Sequence, residues 1–119
     1  MAEITMEFTG RPQDLNDFIS ALFETDALGA GTQKEIPGGG TITMRSMMMR
    51  KAYGIPQYIE IVLSTGDSIT TGIASNYIYE KLKNHKGENL RIRINRREVL
   101  CERRNITRMI EEEIRSQRK

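Results

Sequence analysis

The sequence predicts an α+β fold, a single domain with a mainly antiparallel sheet and about three helices packed on one face. Three observations lead there. Near the N-terminus Ile4, Met6 and Phe8 alternate with Glu3, Thr5, Glu7 and Thr9, as in a strand with one buried face. Three later segments carry apolar residues at helical spacing instead. The order is strand, helix, about two strands, strand, helix, hairpin, helix, which fits a layered α+β domain.

Taken in order, the opening strand ends at Gly10, and Pro12 then sits at a first helical position. Leu15, Phe18, Ile19, Leu22 and Phe23 follow at i, i+3, i+4, i+7 and i+8, with Asp14, Asp17, Ser20 and Glu24 off that stripe. Acidic residues early in this helix suit the positive end of its dipole. Residues 29–41 read as a glycine-rich loop with a short strand near Thr32–Ile36, and Thr41–Arg45 as the second arm of a hairpin across it. Ser46–Tyr53 is ambiguous: Met47, Met48 and Met49 are unbranched and could fill core gaps, line an adaptable contact surface or begin a short helix.

The longest apolar run is Tyr58–Leu63, where Ile59, Ile61 and Leu63 alternate with Tyr58, Glu60 and Val62. It reads as a strand in preference to a short buried helix. Gly66 breaks it, and Asp67 stands where a helix N-cap belongs. Ile69, Ile73, Ala74, Tyr77, Ile78 and Leu82 then give a broad apolar stripe, stopped by His85–Lys86–Gly87. Leu90, Ile92 and Ile94 alternate with Arg91 and Arg93, and Val99 and Cys101 with Glu98, Leu100 and Glu102, on either side of a tight turn at Asn95–Arg97. Asn105 is the expected cap of a last helix with the stripe Ile106, Met109, Ile110 and Ile114, and residues 115–119 the expected frayed basic tail.

Composition limits the classes of function. The chain has 119 residues, 38% hydrophobic and 29% charged, enough for one core. The acidic, alternating start lacks a signal-peptide pattern and no run approaches a membrane span, so a cytoplasmic protein without membrane contact is expected. A single cysteine excludes an intrachain disulfide framework. The net charge of +2 hides an asymmetry: residues 1–60 hold five Lys/Arg against eight Asp/Glu, residues 86–119 eleven against six. A surface that attracts polyanions is set by such local excess.

The basic excess contains the candidate site residues Arg91, Arg93, Arg96, Arg97, Arg103, Arg104 and Arg108, grouped around one hairpin and the start of a helix. They could hold phosphates. Glu98 and Glu102 lie among them and aromatic residues for stacking on bases do not, so a salt-bridged, solvated face carries the greater weight. Met47, Met48 and Met49 are the second candidate, a partner surface weighed against core filling. Ser64–Ser68 has no phosphate-loop spacing and Asp67 is better used as a cap. Cys101 shares an apolar strand face with Val99, and His85 ends a helix without an acid partner in sequence. Glu111–Glu113 are consecutive on a helix and point apart, so they make no metal site. No catalytic set is spaced for chemistry, and no metal, cofactor or enzymatic activity is expected.

The run IEIVLSTG, the helix ITTGIASNYIYEKLKN, the pair LRIRINRREVLCE and the last helix NITRMIEEEI resemble the effector-associated constant component family of bacterial conflict and defence systems. The resemblance covers roughly the second half. It implies a non-catalytic adaptor or sensor working with a separate effector protein, and names no functional residues. The expectation is therefore a protein-interaction module that binds a protein partner or self-associates into an oligomer. The alternative is nucleic-acid or nucleotide binding through the arginine-rich hairpin.

Overall fold

Strict alternation makes Ala2–Thr9 strand β1, whose residues Ile4, Met6 and Phe8 are buried while Thr5, Glu7 and Thr9 are half-exposed. The computed structural model describes residues 2–49 and 56–117. After β1 come α1 (Pro12–Phe23), β2 (Gln33–Ile36), β3 (Gly40–Met49), β4 (Pro56–Thr65), α2 (Ser68–Asn84), a 3-10 turn (Gly87–Asn89), β5 (Arg91–Ile94), β6 (Arg97–Val99) and α3 (Arg103–Gln117). The six strands form one antiparallel sheet in the order β2-β3-β4-β1-β5-β6. The α+β class and the element order are those the sequence predicts.

All three helices lie on one face. Leu15, Phe18, Ile19 and Leu22 of α1, Ala74, Ile78 and Leu82 of α2, and Ile106, Ile110 and Ile114 of α3 share one core with Ile4, Met6 and Phe8, Ile42 and Met44, Ile59, Ile61 and Leu63, and Ile92 and Ile94. The Phe8 and Phe18 rings meet at 4.9 Å between centroids, tilted by 55°. Helix α2 lies between α1 and α3.

The glycine-rich segment holds β2, hairpinned onto β3. Gly40 is needed at its corner: φ is +91° and a Cβ there would run into the Ser64 carbonyl oxygen. Strand β3 continues past Arg45 to Met49, so the methionines are strand rather than helix; residues 50–53 of that ambiguous stretch lie outside the described residues. Asp67 caps α2 as expected, its Oδ1 accepting from the Thr70 N–H at 2.7 Å.

Four expectations are corrected. Helix α3 starts at Arg103, not after Asn105. The Ile106 N–H already donates to the Glu102 carbonyl at 3.0 Å, and Asn105 lies inside the first turn with its amide towards Glu102. The hairpin turn is Asn95–Arg96, both at positive φ (49° and 69°), so Arg97 belongs to β6. The tail is helical through Gln117, whose Nε2 donates to the Glu3 carbonyl at 2.6 Å while its Oε1 accepts from the Glu3 N–H at 3.2 Å; residues 118 and 119 lie outside the described residues.

The fourth concerns α2. Ile69 and Ile73 are exposed, 74% and 39%, while Thr71 and Ser75 are buried with Ala74, Ile78 and Leu82. At about 100° per residue Ile69 lies roughly opposite Ile78, so the predicted stripe was too broad to share one face. The buried hydroxyls are satisfied locally: Thr71 Oγ1 donates to the Asp67 carbonyl at 2.7 Å and Ser75 Oγ to the Thr71 carbonyl at 2.8 Å.

Candidate functional site on the open sheet face

With the helices on one side, no described element covers the other face of the sheet. An antiparallel sheet tolerates this when that face is polar. Cross-strand register decides which side chains meet there. Glu7 of β1 is paired with Glu60 of β4 and with Arg93 of β5, and Arg93 in turn with Glu98 of β6. The next row out joins Met48 of β3 to Tyr58, Tyr58 to Thr9, and Thr9 to Arg91. Parts of the methionine cluster and the arginine hairpin, far apart in sequence, thus share one row of one face.

The charged row is bound by ion pairs and one phenol. Glu7 and Glu60 face each other on adjacent strands, a like-charge pairing that costs stability when nothing intervenes. The Tyr58 hydroxyl lies between them, 2.9 Å from Glu7 Oε2 and 3.2 Å from Glu60 Oε2. Arg45 Nη1 reaches Glu60 Oε1 at 3.5 Å and Arg93 Nη1 reaches Glu7 Oε2 at 4.0 Å. Burial, and then the hydrogen bond to Glu7, push the Tyr58 phenol well above its ordinary range, so it stays a neutral donor. Glu7, Thr9, Tyr58, Arg91, Arg93, Arg96 and Glu98 line a shallow depression of about 470 Å³.

The seven predicted arginines do not form one surface. Arg91 and Arg93 stand on the open face and Arg96 in the adjoining turn. Arg91 Nε pairs with Glu98 Oε1 at 2.7 Å, and Arg93 Nη2 donates to the Arg96 carbonyl at 3.1 Å. Arg97 pairs in register with Ile94, which faces the helices, and its Nη2 reaches Glu113 Oε2 at 3.8 Å and Glu112 Oε2 at 3.9 Å on α3. Arg103, Arg104 and Arg108 lie on the first turns of α3, exposed. Neither they nor Arg96 have a carboxylate within ion-pair distance among the described residues. Arg96 also keeps a left-handed backbone, where a two-residue hairpin favours glycine.

The methionines divide as well. Met47 packs against the core, Met48 is 65% exposed, and the Met49 side chain lies outside the described residues. Tyr58, the centre of the open face, was absent from the sequence-predicted site; its place in the strand's mixed face was the only local signal. Burial, and then Glu88, raise the pKa of the half-buried Cys101 thiol, the opposite of an activated nucleophile. Among the described residues no cluster of His, Cys, Asp or Glu could hold a metal, and no helix is long and apolar enough to cross a membrane. Set against known protein families, curated proteins and solved structures, the chain matches none.

Proposed function

We propose that this protein is a non-catalytic interaction module that docks a partner protein on the open sheet face around Tyr58. The observation that carries this reading is the row Met48–Tyr58–Thr9–Arg91, which sets a methionine, an aromatic ring and an arginine in one line across a face that no described element covers. Those are the residue types enriched where proteins bury one another. The neighbouring pairs of Glu60 with Arg45 and Glu7 with Arg93 supply a charged rim that selects among partners more than it adds affinity. The resemblance to effector-associated proteins supports a separate effector as that partner, with this chain as adaptor or sensor.

The test is comparative capture. Tyr58→Ala and Arg91→Glu should each lose the partner that the unaltered chain retains, while Ile69→Ala on the opposite layer keeps it. An identical set of captured proteins for all variants would overturn the reading.

Nucleic-acid binding is the second reading. Its support has narrowed to Arg103, Arg104 and Arg108, because Glu7, Glu60 and Glu98 lie among the arginines of the open face and would repel a phosphate backbone. Affinity for DNA or RNA that falls steeply between low and moderate salt and drops further in Arg104→Glu would favour it. No binding at low salt would remove it.

A further inference from the structure

Sheet edges reveal whether a strand is protected from pairing. Two of the edges here are short and charged: β2 is Gln33–Ile36 with Lys34 and Glu35, and β6 is Arg97–Val99 with Arg97 and Glu98. Such edges discourage further strand addition. The third differs. Strand β2 pairs with β3 only from Gly40 to Thr43, and the loop before it closes on Met44, whose N–H donates to the Thr32 carbonyl and whose carbonyl accepts from the Gly31 N–H, both at 2.8 Å. A register shift follows between Met44 and Ser46, and from Arg45 to Met49 no strand lies outside β3 among the described residues.

That free stretch reads Arg45–Ser46–Met47–Met48–Met49, ten-residue β3's final half, with its one charge at the near end. Arg45 is turned back towards Glu60 of its own chain. Past it come four uncharged residues, Ser46 to Met49, paired with β4 on one side and with no described strand on the other, and Met48 is 65% exposed. A stretch that is uncharged past Arg45 and, among the described residues, unpaired along its outer edge is the opposite of the other two edges.

We propose that Arg45–Met49 pairs antiparallel with the same stretch of a second copy of the chain, joining two sheets across a two-fold axis. The segment supplies its own complement. In a pairing about Met47, Met48 lies opposite Ser46 of the second copy and Arg45 opposite Met49, so no like charges face each other. The contact is isologous and closes on itself as a dimer. Five residues a side bury less than the ~1,200 Å² of a stable interface, so the dimer is weak and concentration-dependent. Met48 and Arg45 belong to both surfaces, yet the two readings fail separately: a strict monomer can still capture a partner through Tyr58, and a dimer can form without one.

The test is sedimentation of the full chain over a wide concentration range, with hydrogen exchange of the 46–49 amides at both ends of that range. The expected result is a monomer–dimer equilibrium, with those amides exchanging more slowly at high concentration. Met48→Lys, on an exposed side chain, should raise the dissociation constant at least tenfold without changing thermal unfolding, because two lysines then lie ~8 Å apart on the diagonal. Added salt should restore part of the loss. A monomer at every concentration overturns the proposal. So does a dimer that Met48→Lys leaves intact with no protection at 46–49.

Discussion

The two faces of strand β1 are built by different physics from the same eight residues. Ile4, Met6 and Phe8 disappear under three helices, whereas Thr5, Glu7 and Thr9 remain half-exposed among charges from β4 and β5. On the covered face stability comes from apolar area removed from water, and any partner of suitable volume serves. On the open face the side chains contribute through directed contacts: a phenol between two carboxylates, and guanidinium groups that offset them. The first kind of surface holds the fold together. The second is free to recognise something else.

Neighbouring residues can break that contrast. Phe8→Ala should cost about 3–5 kcal/mol in urea unfolding, since it empties a fully buried site against Phe18, while Thr9→Ala should stay within about 0.5 kcal/mol. Similar losses at both positions would mean that the open face is covered in solution.

Tyr58→Phe is the next largest effect, about 1–2 kcal/mol, because Glu7 and Glu60 then face each other with no hydroxyl between them. The same residue sets a pH dependence. Its folded pKa lies above the unfolded value of about 10, so the folded state holds the proton more tightly. That stabilisation is complete below about pH 10 and is lost as pH rises towards the folded value. Near-ultraviolet absorbance should show the Tyr58 phenol ionising last, after Tyr77, whose pKa burial and then Glu24 also raise, and Tyr58→Phe should remove that last transition and flatten the alkaline fall in stability. A phenol titrating with the other tyrosines would remove Tyr58 from the centre of the network.

The smallest change runs in the other direction. Arg96→Gly should stabilise the fold by about 0.5–1 kcal/mol by relieving the left-handed backbone of the turn. If the same variant weakens partner capture, the arginine is retained there at the expense of the scaffold, as strained residues at functional sites are. If capture is unchanged, the site ends at Arg91 and Arg93.

Much of the fold was legible because burial is periodic and period is local. The alternation of Ile4, Met6 and Phe8 and the stripe from Leu15 to Phe23 define elements without reference to any other part of the chain. Where local pattern failed, a non-local or satisfiable contact was responsible. The apolar run of α2 hid its real inner face because Thr71 and Ser75 bond to their own helix and can be buried, leaving Ile69 and Ile73 outside. Asn105 resembles a cap, but Glu102 lies one turn earlier and its carbonyl accepts the Ile106 N–H.

The candidate site was legible only in fragments. By itself the sequence determined the elements, their order, the α+β class and the charge excess of its last third, all consequences of side-chain chemistry read along one chain. Only the tertiary structure decided that Arg97 faces the helices while Arg91 and Arg93 face away, that Met48 lies in a row with Tyr58, and that β3 outruns β2. The reason is that register and layering are set by pairings between residues tens of positions apart, and a shift of one residue would have turned every one of those side chains to the other face.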